Sequence, residues 1–269
     1  SDVWVGNTGG TDNTNYGPFQ DYKFFHNAWS ALANNLIAAN GADRGGVINN
    51  SFGTNIRVNN SSTHFPTDTV SHTEYEYFLF KQMYGDKPTF VDAAYDAVKG
   101  TNVVQIFTTG NRDFANPFYR PLAPYFNPEM EKHWIAVAGL EKDSTGEGKY
   151  QLVEGWNEAG MAKYWTVVAP GRNIWGSKVG LDDANNKDQH NPGEPYYANS
   201  SGTSMAAPHV AGAMAVLMSR YQDMSAIQVR DVLFTTANHK NEDNTNYKDW
   251  TAEEGQVDER YGWGTPDLD

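Results

Sequence analysis

The stretch NSSGTSMAAPHVAGAMAVLMSRY, Asn199 to Tyr221, decides how the rest of the chain is read. A polar, glycine-containing loop runs directly into a helix-forming segment dense in small residues, and Ser204 stands at the junction. At a helix N-terminus the first backbone N–H groups lack intrahelical partners and the dipole favours negative charge. Both suit an oxyanion that develops during acyl transfer. Gly202 lets another backbone approach closely. Pro208 is expected in the first helical turn, where its missing N–H is tolerated. Ala206, Ala207, Ala211, Gly212, Ala213 and Ala215 are expected to bring the helix close against a sheet. The plainer reading makes Ser204 a cap, because serine is a favoured N-cap residue. For an isolated Gly-Thr-Ser that reading prevails.

Working outward, short apolar runs alternate with helical patterns. GGVINNSFG (Gly45–Gly53) follows a stretch in which Trp29, Leu32 and Leu36 share one helical face. NVVQIFTTGN (Asn102–Asn111) follows PTFVDAAYDAVKG, an amphipathic helix expected to stop at Gly100. HWIAVAG (His133–Gly139) and YWTVVAPG (Tyr164–Gly171) read as two more buried strands. Ser225 and Gln228 have capping-box spacing and predict another helix start. The alternation implies an α/β fold with a mostly parallel central sheet. In such sheets ligand chemistry collects at the carboxyl ends of strands, here the polar tails Asn50–Gly53 and Thr108–Asn111. Three segments rich in Asn, Asp, Gly and Thr read as loop insertions, near 54–87, 178–198 and 239–258.

Bulk properties narrow the partners. The chain has 269 residues and a formal net charge of -13. That charge repels phosphate backbones and argues against nucleic acid. There is no cysteine, so neither disulfides nor thiolate chemistry enter. The sequence contains no apolar run of membrane-spanning length.

GTSMAAPHVAG resembles the nucleophile motif of the subtilisin-like serine proteases. GVINNSFG resembles their substrate-binding strand, VVQIFTTGNRD the strand that ends in the oxyanion asparagine, HWIAVAG and WTVVAPG the next two strands, and RYGWGTPDLD the terminal segment. The resemblance implies a three-layer subtilisin-like fold. It implies Ser204 as nucleophile and Asn111 as oxyanion donor. It implies that Ser51, Phe52 and Gly53 together with Thr108, Thr109 and Gly110 line the substrate pocket. Without it, Asn111 reads as a turn residue beside Gly110. The segment TTGNRDFANPFYRPLAPYFNPEMEKHWIAVAG resembles the autotransporter branch of the family, which implies export to the medium or the bacterial cell surface and protein or peptide substrates.

A serine nucleophile needs a base, and the base needs an orienting carboxylate. The family's aspartate and histidine motifs, N-terminal to the serine, have no match here. Of the seven histidines, His209 is nearest in sequence. Five residues along a helix place it about 7.5 Å further up and roughly 140° round, out of reach of Ser204. His64 and His72, with Asp68, Glu74 and Glu76, lack a recognisable metal-ligand spacing. SDVWVGNTG resembles the strand that follows the family's histidine helix. Residues 1–269 are therefore expected to be the C-terminal two-thirds of one catalytic domain, with the N-terminal portion missing from this chain. An N-terminal fragment of the same protease is the expected partner, staying bound and supplying Asp and His. Two rivals remain in view. One is an inactive remnant that serves as a binding or surface-display module. The other is an α/β-hydrolase, whose elbow needs a hydrophobic strand before the serine; NPGEPYYANS is polar and proline-broken. No metal or cofactor is required for the chemistry. Structural calcium is considered for LDDANNKD and HKNEDNTN, although neither fits a defined calcium loop.

Overall fold

The apolar runs become the centre of a sheet. In a computed structural model, which describes residues 22–52, 85, 87–143, 149–177 and 197–268, five strands join. They are β1 (Gly46–Asn50), β2 (Val103–Thr108), β3 (Trp134–Lys142), β4 (Tyr150–Leu152) and β5 (Thr166–Pro170). β1 pairs with β2, β2 with β3 and β3 with β5, all parallel, in a register that sets Val47 beside Val104, Ile106 beside Ile135 and Val137 beside Val167. β4 adds antiparallel to the far end of β3. Every residue of β2 is buried, as is usual for a strand covered on both faces.

Helices cover this sheet. α1 (Tyr22–Asn40) buries Phe25, Trp29 and Ala33, one residue per turn, and packs on α2 (Phe90–Asp96) and β1. Thr89 and Asp92 close a capping box at the start of α2. The helix ends at Asp96 rather than Gly100: beyond it the Val98 and Thr101 N–H groups donate three residues back, to Tyr95 and Val98, while Lys99 still donates four back to Tyr95, so the regular ladder breaks into turns. α3 (Tyr119–Phe126) follows β2, and α5 (Ala226–Thr235) opens with the expected box of Ser225 and Gln228. α4 (Thr203–Arg220) lies against β1, β2, β3 and β5 and buries Ala206, Ala207, Val210, Ala213, Met214 and Leu217. Two expectations for α4 are corrected. Pro208 is the sixth residue of the helix, a turn later than expected, so it deprives the Ser204 carbonyl of its helical N–H. Gly212 and Ala215 face outward, since the helical repeat gives the sheet only part of the small-residue run.

Of the three expected loops, 54–87 lies outside the described residues except for Gly85 and Lys87. The segment 178–198 also lies outside them, except for its last two residues. Those belong to β7 (Tyr197–Ser200), which pairs antiparallel with β6 (Ile174–Ser177) as a largely exposed ribbon just before α4. The third segment, 239–258, is more than a surface loop. Tyr247 and Trp250 join Leu140, Val168 and Tyr261 in a second apolar cluster. Asp258, 1 % exposed, accepts from the N–H groups of Thr251, Ala252, Arg260 and Tyr261. Two aromatics without a period gave no core signal in a polar sequence.

Candidate active site

Three chain segments meet at the carboxyl ends of the central strands. β2 ends at Thr108 and delivers Asn111 three residues later. β5 ends at Pro170, and the Gly171 carbonyl accepts from the Gly202 N–H at 2.9 Å. That bond fixes the start of α4, so Gly202 is the N-cap and Ser204 is the second helical residue rather than the cap.

Asn111 acts as a remote cap for this helix. Its Oδ1 accepts from the Thr203 N–H at 2.9 Å and from the Thr203 hydroxyl at 3.1 Å. With Oδ1 committed, Nδ2 faces Gly202, and a Cβ added there would lie 3.4 Å from it. The amide donor and Ser204 therefore line one cleft of about 230 Å³. Thr203, 1 % exposed, was not singled out in the sequence, because its partner is 92 residues away.

Asn157 is a second residue that local pattern could not reveal. It is buried, and it grips the loop that carries Asn111 from four sides. Its Oδ1 accepts from the Arg112 N–H at 2.8 Å and its Nδ2 donates to the Asn116 carbonyl at 3.1 Å. Its N–H donates to the Gly110 carbonyl, and its own carbonyl accepts from the Thr109 hydroxyl, both at 3.0 Å. Gly110 has φ +123, and a side chain there would overlap the Phe118 ring. Glycine at this position lets Phe118 close the cleft wall.

Of the residues expected to line the substrate pocket, Thr108 and Gly110 do line the cleft. Thr109 turns into the protein, with its N–H donating to Val137 and its carbonyl accepting from Phe118. The Ser51 hydroxyl donates to Asn49. Phe52 stacks on Trp29, with ring centroids 6.4 Å apart. Gly53 lies outside the described residues. Phe118, Arg112 and Arg120 complete the described lining, and the sequence reading had assigned none of the three.

The four described histidines are all engaged away from Ser204. His26 stacks on Tyr22, and His239 on Trp250 with centroids 4.2 Å apart. His209 Nδ1 lies 2.8 Å from the Met205 carbonyl, one turn back along its own helix. His133 is fully buried with Nδ1 2.9 Å from the Val103 carbonyl, and burial pushes its pKa below the ordinary histidine value. His64, His72 and His190 lie outside the described residues. Among the described residues no group of three or more His, Cys, Asp or Glu is placed to hold a metal ion. The first segment considered for calcium, 181–188, lies outside them; in the second, Asp243 accepts from the Thr245 N–H at 3.0 Å and caps its own turn.

The model of the Subtilase family matches residues 24–264. The chain belongs to the subtilase family. The "Extracellular serine protease" of Serratia marcescens is 34% identical over 173 residues, 61% of this chain and 15% of that protein. The "Serotype-specific antigen 1" of Mannheimia haemolytica is 29% identical over 212 residues, 78% of this chain and 20% of that protein. The "Neisserial autotransporter lipoprotein NalP" of Neisseria meningitidis is 27% identical over 276 residues, 95% of this chain and 22% of that protein. The chain thus spans at most about a fifth of these subtilase relatives. Among solved structures, "S41 Psychrophilic Protease" superposes with a TM-score of 0.54 at 20% identity, over 96% of this chain and 66% of that one. That likeness establishes the subtilisin-like α/β fold. No helix among the described residues is long and apolar enough to cross a membrane.

Proposed function

We propose that this subtilase chain is the C-terminal two-thirds of the catalytic domain of a secreted or cell-surface serine endopeptidase, and that it supplies the nucleophile, the oxyanion hole and the substrate-binding strands. The observation that carries the reading is the shared cleft of Ser204 and Asn111, with the Asn111 amide oriented by Thr203. Ser204 Oγ attacks the scissile carbonyl. Asn111 Nδ2 and the Ser204 N–H receive the negative charge that moves onto the carbonyl oxygen. The tetrahedral intermediate collapses to an acyl-enzyme as the amine leaves, and water then releases the acid. The backbone near Thr108 and Gly110, with Ser51, Phe52 and Gly53 opposite, holds the peptide. A histidine takes the Ser204 proton and an aspartate orients it; both come from an N-terminal fragment of the same protease that stays bound to this chain. Such a two-chain enzyme is consistent with autoprocessing. The named residues perform these steps without a metal; calcium, if bound, would be structural.

The test is fluorophosphonate treatment of the purified protein followed by denaturing intact-mass measurement. An adduct on Ser204, absent in Ser204→Ala, together with a second smaller polypeptide, supports the two-chain protease. A folded, unlabelled 29.9 kDa species rejects it. That result would favour a catalytically silent subtilase acting as a binding or display module, a reading supported by the engagement of all four described histidines elsewhere.

A further inference from the structure

We infer that Arg260 is a positioning residue for the oxyanion donor Asn111, acting through its ion pair with Glu158; the inference rests on the protease reading above. Arg260 does not line the cleft. Its effect is carried by the segment 157–161, which is bonded on one side to the loop 110–116 and on the other to a turn at 258–262. On the loop side, Asn157 holds Thr109, Gly110, Arg112 and Asn116 by the four bonds given above. The Glu158 N–H donates to the Phe114 carbonyl at 2.9 Å, and the Met161 N–H donates to Asn116 Oδ1 at 2.8 Å. On the turn side, the Ala159 N–H donates to the Arg260 carbonyl at 2.9 Å and the Gly160 N–H to the Glu259 carbonyl at 2.8 Å. Arg260 Nε donates to Glu158 Oε1 at 2.7 Å. Glu158 thus grips both sides, the loop through its backbone and the turn through its carboxylate.

The turn is itself fixed to the frame that carries Ser204. Asp258 sets its shape, with Oδ1 accepting from the Arg260 N–H at 2.8 Å. The residues that follow lie along β5. The Trp263 N–H donates to the Thr166 carbonyl at 3.0 Å, and the Gly264 carbonyl accepts from the Val168 N–H at 2.9 Å. β5 leads to Gly171, whose carbonyl holds Gly202 and so the start of α4. One continuous set of bonds therefore relates Asn111 to Ser204 by way of Arg260. The layers also pack too closely to slide: a side chain at Gly160 would lie 2.1 Å from Asn116 Oδ1. Two backbone bonds alone leave the segment free to rock about the line that joins them. The side-chain pair adds a third point of attachment. Both members are only half-buried, so the pair adds little to global stability, and its use is alignment.

The experiment measures steady-state kinetics of the intact protease on one peptide, well below its unfolding temperature, with urea midpoints and fluorophosphonate labelling alongside. In Arg260→Gln and in Glu158→Gln kcat should fall roughly twofold to fivefold, the range for a half-exposed ion pair, with KM within about twofold of native. Arg260→Lys should keep part of the rate. Asp249→Asn, which removes only a 3.4 Å contact with Arg260, should leave kcat unchanged. The deciding measurement is a cycle with Asn111→Ala. Once the amide is gone, Arg260→Gln should cost no further kcat, while any effect on the urea midpoint persists. A native kcat in Arg260→Gln and Glu158→Gln overturns the inference, whatever the midpoints do. So does an equal fold-loss with and without the Asn111 amide, because Arg260 would then act on another part of the site. Absence of fluorophosphonate labelling on native Ser204 overturns the protease reading itself, and that control tells the two failures apart.

Discussion

Thr203 donates twice to the same oxygen of Asn111, from its N–H at 2.9 Å and from its hydroxyl at 3.1 Å. The side-chain amide is thereby held by its carbonyl end, and its N–H₂ end is aimed along the start of α4. A donor fixed before the reaction spends little reorganisation when charge develops beside it.

Removal of the donor and removal of its support should therefore differ in size. Asn111→Ala is expected to lower kcat of the intact protease by roughly 10²–10³ with a small change in KM; the range for one such donor comes from subtilisin, a relative of this chain. Thr203→Val deletes only the hydroxyl and keeps the backbone bond. It should cost about 1 kcal/mol, near fivefold in kcat. Steady-state kinetics on a single peptide, with Ser204→Ala as the blank, compare the two. Equal losses would mean that the hydroxyl, rather than the amide, carries the effect.

Asn157 should matter to stability before it matters to rate. Asn157→Ala deletes both side-chain bonds to the Asn111 loop and leaves the Asn116 carbonyl short of a donor in a buried place. A loss of about 2 kcal/mol is expected, read as a lower urea midpoint with an unchanged slope. The variant should also lose kcat, because the Arg112 N–H no longer ties the loop down. An unchanged midpoint would show that the Gly110 and Thr109 bonds hold the loop alone.

At Gly110 the constraint is steric. Gly110→Ala asks for a side chain at φ +123 and pushes it into Phe118, 2.9 Å from Asn157 Nδ2. Both demands destabilise. The expected outcome is a protein with a lowered melting temperature and strongly reduced fluorophosphonate labelling. Normal labelling at normal stability would mean that Phe118 moves aside freely.

Asp258 gives the fold a dependence on pH. Burial alone would raise its pKa, but N–H groups of Thr251, Arg260, Tyr261 and Ala252 donate to the carboxylate and hold it below the ordinary range. A carboxylate depressed in the folded state adds stability above its unfolded value of about 3.9, and that stability is lost as pH falls through the folded value. Urea titrations at stepped pH should show native stability dropping below about pH 4. Asp258→Asn should be less stable at neutral pH and should lack that part of the acid slope. A variant with the same acid slope as the native chain would assign the slope to other carboxylates.

The sheet and much of the site could be read from the chain alone, and the reasons are physical. β2, β3 and β5 are buried along most of their length, so burial on both faces wrote continuous apolar runs into the sequence. β1, with Asn49 exposed, was legible instead from its Val47–Ile48 pair and the glycines around it. The Ser225–Gln228 box is a local device with fixed spacing. Thr203 and Asn157 work through partners 92 and 45 residues away, and such bonds leave no spacing to detect. The segment 239–258 reads as polar loop because Tyr247, Trp250 and a buried Asp258 carry its packing without a period. Pro208 falls beyond the first turn because the helix is capped at Gly202, two residues before Ser204, beside a Gly202–Gly171 bond that leaves no mark in the local sequence. Arg120 carries no distinguishing signal in the sequence, and its burial beside the cleft follows only from where its helix packs.

The separation of Asn111 from Thr203 has a meaning for synthesis. At ordinary translation rates a ribosome needs roughly 5–20 s to travel from one codon to the other. Throughout that interval the growing polypeptide holds the strand that bears Asn111 but not the residue that orients it. Under the protease reading proposed above, a nascent chain would thus carry no oriented oxyanion donor beside the ribosome that makes it. That donor would be set only once Thr203, at the start of the last quarter of the sequence, has emerged.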